Sequence, residues 1–519
     1  MPSGQSAVIA FLEDAATHAG APVERIETHG AIVFLAGGTA WKMKKAVHLG
    51  PMDFSTLARR EACCKAEIAL NRRTAPDIYR RAVPVTDEGH GRLAIAGDGP
   101  PVEWLVEMAR FDTEDLLDRV LAEGRAPEGL APALARAVAH LHAGAERRPQ
   151  AGGAGAGGAV AAIVEGNLSE MDEFVPAVFD HAAAARLRDM SLAAIEARRA
   201  LLEERRRAGH VRHCHGDLHP GNIVLINGAP VLFDAIEFAD RIAHIDVLYD
   251  LAFLLMELWH ETARPPEPAL ANGVLNGYLE NVPYTELADH VRGLALLPLF
   301  MSMRAGVRAK ISARMQRREA ARAYLRSAVA DLESALPQLI AVGGLSGSGK
   351  SLLAHALAPE TGRAPGALVL RSDAIRKQRA GLAPEVRLPK EAYTPAASEA
   401  VYGDLMRLAR LGLEAGQAVV LDAVFAREGE REAAQDVARA AGVPFAGLWL
   451  DAPPEVLKAR AAARSQAARD ASDADAAVVE AQLSYDRGHI SWHRVDAAGT
   501  PAAALNSART ALARNARSA

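Results

Sequence analysis

The sequence predicts two different architectures in one chain of 519 residues. Up to about residue 335, short strands with hairpin turns come first and a long helical stretch follows, which predicts an α+β fold. From Leu339 onward, apolar strands alternate with helices, which predicts an α/β fold with a parallel sheet. The segment 331–338, which contains a proline, is the predicted linker between the two parts.

Composition and charge narrow the class of protein. Half of the residues are hydrophobic and the net charge is −5, which allows a sizeable core and argues against a general nucleic-acid binder. The cysteines Cys63, Cys64 and Cys214 form neither a disulfide framework nor a CxxC metal site, so a reducing compartment is expected. The first twenty residues include Glu13 and Asp14 and no long apolar run. We therefore expect a cytoplasmic protein without a signal peptide or a membrane-spanning segment.

The first predicted elements are a helix and a β-hairpin. Residues 6–19 carry apolar side chains at helical spacing and predict a helix. Residues 31–35 and 39–47 predict two strands, joined by a turn at two glycines. Because side chains alternate along a strand, Lys42 and Lys44 are expected on the same face.

A helix and further strands follow the hairpin. Residues 55–72 predict a helix that carries Glu61 and Glu67. Short strands are then predicted at residues 83–85, 93–95 and 102–108. Helical segments are predicted at residues 113–123 and 131–145, and from residue 246 to about 332 with breaks at prolines.

A polar loop at residues 213–224, HCHGDLHPGNIV, carries the residue types that phosphoryl transfer needs. Its glycines and proline prevent a helix. The carboxylate of Asp217 can accept a proton from a hydroxyl, and the amide oxygen of Asn222 can hold Mg²⁺. Asp234, which follows the next predicted strand, offers a second metal ligand. This order of parts is typical of kinase-like phosphotransfer.

Residues 213–237 resemble the catalytic segment of the aminoglycoside phosphotransferase and choline kinase family, in which HGDLHPGN replaces the HRD form of protein kinases. The resemblance implies a bilobal, protein-kinase-like fold. It implies Asp217 as the catalytic base and Asn222 and Asp234 as Mg²⁺ ligands. Asp250 matches a position of the family that looks structural, so we expect it to cap a helix or support the loop.

In a kinase-like small lobe, a strand lysine holds the α- and β-phosphates and pairs with a helix glutamate. We assign Lys42 to the lysine, with Lys44 as the alternative on the same face. For the glutamate we assign Glu67, with Glu61 as the alternative. The chain departs from the protein-kinase pattern in the glycine loop, because Gly30 is the only glycine between residues 27 and 35.

A second site for phosphate lies at residues 344–351, GLSGSGKS, which fits the phosphate-loop pattern. An apolar strand precedes it and a helix follows it, which is the context the motif requires. Glycines let backbone N–H groups converge on phosphate, and the helix N-terminus adds a partial positive charge. Lys350 would reach the β- and γ-phosphates, and Ser351 would bind Mg²⁺. The predicted nucleotide-binding residues are Gly344, Ser346, Gly347, Ser348, Gly349, Lys350 and Ser351.

Two further residues follow the next predicted strand. Asp373 and Arg376 lie at the carboxyl edge of the sheet, one helical turn apart. This pair resembles the D-x-x-R element of small P-loop kinases that act on hydroxyls, such as gluconate kinase, zeta-toxin and polynucleotide-kinase relatives. The resemblance implies that Asp373 is the base or orients the acceptor and that Arg376 contacts the acceptor.

Asp422 ends the predicted strand 419–421 and is a candidate Walker B carboxylate that holds Mg²⁺ through water. Whether Asp373 or Asp422 serves the metal stays open at this point. A later polar helical stretch resembles the lid of the same kinases through its arginines, Arg460, Arg464 and Arg469. The contact to the nucleotide is assigned to Arg464, because a lid arginine would neutralise the transferring phosphate.

The whole chain resembles bacterial fusions of an aminoglycoside phosphotransferase-like domain with a P-loop ATP-binding domain. The predicted domains are residues 1–335, with a small lobe at 1–107 and a large lobe at 108–335, and residues 338–519. The predicted function is an ATP- and Mg²⁺-dependent phosphotransferase that acts on small-molecule hydroxyls and has two nucleotide sites. One alternative is that one domain binds nucleotide and regulates the other. A further alternative, a nucleic-acid 5′-hydroxyl kinase in the P-loop half, is disfavoured by the net negative charge. The sequence does not identify the phosphate acceptor of either site, and it does not define the oligomeric state.

Overall fold

A computed structural model describes residues 4–49, 52–149, 155–260, 266–383, 386–467 and 475–518. The chain divides into two units by its internal contacts. The first unit comprises Met1–Ala133, His140–Gly153 and Arg206–Asp250, and the second comprises Leu134–Ala139, Ala154–Arg205 and Leu251–Ala519. These units are interleaved in sequence and differ from the domains predicted at residues 1–335 and 338–519, whose boundaries stay a prediction.

Helices make up most of the described residues. Their bounds are α1 Gly4–Glu13, α2 Leu57–Asn71, α3 Leu117–Ala122, α4 Leu130–Gly144, α5 Gly155–Asp172, α6 His181–Arg207, α7 Asp240–Ala243, α8 Val247–Trp259, α9 Pro268–Asn281, α10 Tyr284–Gly293, α11 Leu297–Arg314, α12 Arg318–Leu332, α13 Lys350–Leu357, α14 Ser372–Arg379, α15 Pro395–Glu414, α16 Glu428–Ala441, α17 Pro454–Ala467, α18 Ala476–Leu483 and α19 Pro501–Ser518. None of the helices described here combines the length and the apolar character that a membrane crossing demands.

The strands lie in both units. Those of the first unit are β1 Val23–Glu27, β2 Ala31–Ala36, β3 Thr39–Lys44, β4 His48–Leu49, β5 Met52–Asp53, β6 Tyr79–Asp87, β7 Leu93–Ile95, β8 Pro101–Ala109, β9 Val211–His213, β10 Ile223–Ile226, β11 Ala229–Leu232 and β12 His244–Asp246. Those of the second unit are β13 Leu339–Gly343, β14 Leu368–Arg371, β15 Val419–Asp422, β16 Phe445–Asp451 and β17 His493–Asp496.

An antiparallel sheet organises the first unit, with the described strands in the order β1-β2-β3-β8-β6-β7. The predicted hairpin is the β2–β3 pair, although β3 ends at Lys44 rather than at residue 47. Helix α1 packs Val8 and Leu12 against one face of the sheet. Helix α2 packs Cys64 and Ile68 against the other face. This second face is the one that Lys42 and Lys44 share, so α2 lies beside both lysines.

A parallel sheet organises the phosphate-loop part of the second unit, with the described strands in the order β14-β15-β13-β16-β17. All four strand pairs are parallel, which confirms the predicted α/β architecture. Strand β13 lies at the centre and is completely buried, as its apolar sequence LIAVG predicts. Strand β14 lies at an edge of this sheet. The carboxyl ends of β13, β14 and β15 meet at one side of the sheet.

Candidate functional sites

Two lysines and three carboxylates form a network at the end of β3. Nζ of Lys42 lies 2.8 Å from Oε1 of Glu67 and 2.5 Å from Oδ1 of Asp234. Nζ of Lys44 lies 2.5 Å from Oε2 of Glu67 and also pairs with Glu237. Glu67 therefore bridges both lysines, while Lys42 is the one that contacts Asp234.

The choice between the two candidate glutamates follows from their positions on α2. Glu61 lies on the exposed side of the helix and pairs with Lys65 one turn later. Glu67 is fully buried and faces the sheet. The geometry therefore joins Glu67, and not Glu61, to the strand lysines.

Lys42 and Glu67 stay charged at neutral pH. Burial alone would lower the pKa of Lys42, but the carboxylates of Asp234 and Glu67 raise it well above its usual value. Burial alone would raise the pKa of Glu67, but the two ammonium groups lower it to about 2. A buried charge is stable only when it is paired, and each of these has an opposite charge in contact with it.

Helix α2 also fixes the backbone of the Asp234 segment. The N–H of Ala235 donates to Oδ1 of Asn71 at 2.8 Å, and the N–H of Asp234 donates to the Tyr79 hydroxyl at 3.1 Å. Asn71 lies one helical turn after Glu67, so one face of α2 holds both the lysines and this segment. Asp234 itself has a φ of +62°, a conformation that aspartate adopts more readily than most residues.

The loop that follows β9 brings Asp217 and Asn222 together. Nδ2 of Asn222 donates to both the backbone oxygen and Oδ2 of Asp217, each at 3.0 Å. Nε2 of His219 lies 3.5 Å from the same carboxylate. The Asp217 side chain is 39% exposed, so a substrate hydroxyl can reach it. The amide oxygen of Asn222 is the atom that remains for a cation.

Asp250 stabilises this loop through hydrogen bonds to its backbone. Its two carboxylate oxygens accept the backbone N–H groups of His215 at 3.0 Å and Gly216 at 2.9 Å. Nε2 of His142 lies 3.2 Å from the same carboxylate. Burial lowers the pKa of His215, and its Nε2 lies 2.9 Å from the backbone oxygen of Phe233, so the neutral ring donates there. These contacts agree with the expected structural role of Asp250.

A cleft of about 590 Å³ joins these residues in the first unit. Lys42, Asp217 and Asp234 lie on its surface. Apolar side chains form much of the remaining lining, including Val33, Leu35, Ala40, Met108, Phe111 and Phe233. A mostly apolar pocket with a few convergent charged groups is the usual form of a cofactor site. These groups fit Mg²⁺–ATP, because the apolar side chains can contact the adenine ring and the Lys42 ammonium can contact the phosphates. The oxygen atoms of Asn222 and Asp234 can bind the cation.

The second site begins where β13 ends and α13 begins. The backbone φ is +145° at Gly344, +84° at Gly347 and +88° at Gly349, which places each of these residues in a region that favours glycine. A Cβ added to Gly347 would lie 2.3 Å from the backbone oxygen of Leu457. The loop therefore needs glycine at residue 347 both for its conformation and for its close packing.

The polar groups of this loop differ in their surroundings. Oγ of Ser348 is buried and has no hydrogen-bond partner among the described residues. The N–H of Ser346 already donates to Oε1 of Gln482 at 2.8 Å. Lys350 is buried and Ser351 is half-buried, both in the first turn of α13. The helix N-terminus and an unpartnered hydroxyl fit a phosphate group.

Asp422 lies next to the loop. It ends β15 and is paired in register with Val342 of β13. Its Oδ1 is buried without a hydrogen-bond partner within the described chain, and its Oδ2 lies 3.4 Å from Nε of Arg371. An orphaned buried carboxylate oxygen fits a hydrated Mg²⁺. Asp373 is half-buried in the first turn of α14, and the choice between the two aspartates for the metal stays open.

Arg376 follows Asp373 by one turn and contacts the segment before α15. Its Nη1 donates to the backbone oxygen of Ala392 at 2.6 Å, and its guanidinium lies 4.9 Å from the centre of the Tyr393 ring. Its Nε is buried without a partner in the residues that the structure describes. Arg376 thus holds this segment, and its predicted contact with an acceptor stays a prediction.

The predicted lid is only partly described. Arg464 lies within α17, but its side chain is outside the described part of the chain. Arg469 also lies outside the described residues. The assignment of Arg464 to the nucleotide therefore stays a prediction.

Several residues at the two sites were missed by the sequence analysis: Glu237, Gln482, Arg371 and Glu280. Glu237 had a local signal, because it follows Asp234 by three residues and is charged in an otherwise apolar segment. Gln482 and Arg371 contact residues that are remote in sequence, and nothing near them in the sequence indicates those partners.

Family models match both parts of the chain. Residues 100–290 match the model of the phosphotransferase enzyme family, and residues 339–487 match the model of an AAA domain. The fold is thus an aminoglycoside phosphotransferase-like kinase fold followed by a P-loop domain, and the protein is a kinase-type phosphotransferase with nucleotide-binding sites.

A relative covers almost the whole chain. It is an uncharacterized protein from Mycobacterium tuberculosis, 31% identical over 485 residues, or 91% of this chain and 92% of the relative. The chain belongs to the same family as this mycobacterial protein.

Solved structures resemble the two parts separately. A gluconokinase from Sinorhizobium meliloti is 24% identical and covers 35% of this chain and 95% of its own, with a TM-score of 0.25. A choline/ethanolamine kinase family protein from Mesorhizobium loti is 13% identical and covers 64% of this chain and 94% of its own, with a TM-score of 0.37. Both TM-scores are too low for either likeness to define a substrate.

Proposed function

We propose that the protein transfers the γ-phosphoryl group of ATP to the hydroxyl group of a small molecule at two separate sites. The observation that carries the proposal is the cleft of the first unit, whose lining includes Lys42, Asp217 and Asp234. These are a cation for phosphate, a base for a hydroxyl and a carboxylate for Mg²⁺. The three come from β3, the loop after β9 and the segment after β11, and α2 and Asp250 hold them.

At the first site, Asp217 accepts the proton of the acceptor hydroxyl. The hydroxyl oxygen forms a bond to the γ-phosphorus while the bond from that phosphorus to the β–γ bridging oxygen breaks, so that ADP leaves. Lys42 neutralises phosphate charge and is itself held by Glu67. Asn222 and Asp234 are the residues that would hold Mg²⁺, which would supply positive charge to the phosphates.

At the second site, the loop 344–351 binds the phosphates through its N–H groups and Lys350. Asp373 stands at the same edge of the sheet and is available to orient or deprotonate an acceptor. Ser351 and Asp422 are the residues that would hold Mg²⁺. The presence of an aspartate and an arginine on α14 supports transfer to an acceptor rather than hydrolysis alone.

An ATP-coupled screen of hydroxylated metabolites tests the proposal. The wild type is compared with Asp217→Ala and Lys350→Ala, each in the full-length chain. We expect Asp217→Ala to abolish one set of phosphorylation products and Lys350→Ala to abolish the other. Full phosphotransfer in both variants would show that the sites are wrongly assigned.

A further inference from the structure

Helix α9 has a polar face with a repeat of four residues. Asn272, Asn276 and Glu280 follow one another at this spacing in an otherwise mostly apolar helix, so they share one face. Asn272 and Asn276 are 1% and 2% exposed, which is unusual for amides unless they are hydrogen-bonded. Their partners lie within the same unit, on β14 and the turn before it.

The two asparagines bind the backbone of an edge strand. Nδ2 of Asn272 donates to the backbone oxygens of Pro365 and Ala367, each at 3.0 Å. Asn276 accepts the N–H of Val369 at 2.7 Å and donates to the oxygen of Ala367 at 3.2 Å. Side chains thus satisfy the N–H of Val369 on the open side of β14 and the two backbone oxygens of the turn just before the strand.

The helix and the strand match in spacing. Four residues of a helix rise about 6 Å, and two residues of a strand rise about 6.6 Å. Asn276 therefore meets residues 367 and 369, and the next residue of the helix face, Glu280, meets residue 371. Nη1 of Arg371 lies 3.6 Å from Oε1 of Glu280.

Arg371 also contacts the phosphate-loop site. Its Nε lies 3.4 Å from Oδ2 of Asp422, whose other oxygen has no hydrogen-bond partner in the described chain. The Arg371 side chain is only 9% exposed, so these charges act on each other with little screening by solvent. One guanidinium is thereby shared between the carboxylate of α9 and the carboxylate predicted to hold Mg²⁺.

The C-terminal end of α9 is also fixed to α14. Nε2 of Gln378 donates to the backbone oxygens of Leu279 at 2.8 Å and Val282 at 3.2 Å. Since α14 carries Asp373 and Arg376, α9 contacts both the edge strand and the helix that hold candidate site residues. The position of Glu280 is thus fixed relative to the site.

We propose that Glu280 is a positioning residue for the phosphate-loop site, acting through Arg371 to set how strongly Asp422 is available to Mg²⁺. This inference depends on the proposed use of Mg²⁺ and nucleotide at that site. Because Glu280 also attracts the guanidinium of Arg371, the interaction between Arg371 and Asp422 is weakened. The Asp422 carboxylate can then interact with a hydrated cation.

Two variants are expected to change the Mg²⁺ requirement in opposite directions. In Glu280→Gln, Arg371 loses the carboxylate that competes with Asp422 for its guanidinium and therefore competes more strongly with Mg²⁺ for Asp422. The Mg²⁺ concentration for half-saturation is expected to rise by about fivefold or more. In Arg371→Gln, the guanidinium that competes with Mg²⁺ for Asp422 is removed, so the Mg²⁺ concentration for half-saturation is expected to fall. General damage to the fold would weaken binding in both variants.

The experiment uses the full-length chain with Lys42→Met, so that nucleotide binding reports the phosphate loop. ADP affinity is measured in EDTA and across a Mg²⁺ titration at pH 8. Glu360→Gln, which breaks an exposed ion pair with Arg509, is the matched control and is expected to leave the titration unchanged. Affinity in EDTA is expected to change less than twofold in Glu280→Gln, because the loop itself is not altered.

The outcomes separate this inference from the proposed function. If the parent chain shows no Mg²⁺-dependent binding that Lys350→Ala removes, the proposed function of this site is wrong. If the parent shows such binding and Glu280→Gln gives the same Mg²⁺ titration as Glu360→Gln, the inference is overturned. If Glu280→Gln unfolds at a lower temperature than the parent chain, Glu280→Asp provides the same test, with a smaller expected rise in the Mg²⁺ concentration for half-saturation. An unchanged Mg²⁺ titration in Glu280→Asp would overturn the inference equally.

Discussion

Nζ of Lys42 lies 2.5 Å from Oδ1 of Asp234. The residue predicted to bind phosphate and the residue predicted to bind Mg²⁺ therefore neutralise each other. In the proposed function, Mg²⁺–ATP would separate this pair, because Lys42 would contact a phosphate in place of Asp234 and Asp234 would contact a cation in place of Lys42. Glu67 also contacts Lys42, at 2.8 Å, and would still hold the ammonium once Asp234 is replaced by phosphate. The cleft is thus charged and positioned before its ligand arrives.

Replacement of Lys42 is expected to affect the first site selectively. Lys42→Met should lower kcat/KM of the reaction that depends on Asp217 by about a hundredfold, because a charged donor to the phosphates is lost. Lys45→Met is the matched control, since Lys45 lies nearby but pairs with Glu27 at the surface. Steady-state kinetics with an identified acceptor measures both.

The same assay decides between the two candidate lysines. Lys44 contacts Glu67 and Glu237. Lys44→Met should therefore act mainly through the position of Glu67 and cost less in kcat/KM than Lys42→Met. A larger loss in Lys44→Met than in Lys42→Met would reverse the assignment.

The ion network predicts a dependence of stability on pH. The pKa of Glu67 is lowered to about 2 in the folded chain from an ordinary value of 4.5. Its stabilising effect is therefore complete above about pH 4.5 and is lost as the pH falls through 2. We expect Glu67→Gln to unfold with about 3 kcal/mol less free energy than the wild type at pH 7.

The difference between Glu67→Gln and the wild type should narrow as the pH is lowered from 4.5 toward 2. Denaturant unfolding at several pH values measures it, and Glu61→Gln is the matched control because Glu61 forms an exposed pair with Lys65 on the same helix. A constant difference between Glu67→Gln and the wild type over that range would show that the Glu67 carboxylate does not carry the effect.

Two glycines of the phosphate loop provide a matched pair of substitutions. Both Gly347 and Gly349 have positive φ, but a Cβ at Gly347 would lie 2.3 Å from the backbone oxygen of Leu457, whereas one at Gly349 meets nothing within 4 Å. Gly349→Ala should cost about 1 kcal/mol of backbone strain and leave ADP binding measurable. Gly347→Ala should destabilise the second unit further and abolish ADP binding at the loop.

Thermal unfolding and ADP titration of the two alanine variants test this pair. Equal losses in both variants would mean that the conformation alone matters, and that the close approach of Leu457 does not.

The sequence located the parts of each site that lie within one short segment. The loop with Asp217 and Asn222 and the phosphate loop were predicted because their residues are adjacent in the chain and their chemistry needs that spacing. Strand alternation predicted that Lys42 and Lys44 share one face, and in the structure both contact Glu67. The assignment of Lys42 to the phosphates stays a prediction. The sequence analysis assigned Glu67 and kept Glu61 as the alternative, and burial in the folded chain, which the sequence of α2 does not define, is what separates the two.

Contacts between remote segments could not be predicted. Glu280 and Arg371 are separated by the whole of α10 to α13, and no local pattern relates an ion pair over such a distance. The repeat Asn272, Asn276 and Glu280 did carry a signal, because amides at a four-residue spacing in an apolar helix indicate a polar face with a buried partner. Its partner, the edge of β14, became apparent only in the folded chain.

The stoichiometry of nucleotide binding tests the central claim most directly. Calorimetric titration of the full-length chain with a non-hydrolysable ATP analogue and Mg²⁺ should give two sites per chain. Lys42→Met and Lys350→Ala should each leave one site, and the double variant should leave none. Binding of only one nucleotide per wild-type chain would contradict the account of two phosphotransfer sites in one chain. Any nucleotide binding that remains in the double variant would contradict it as well.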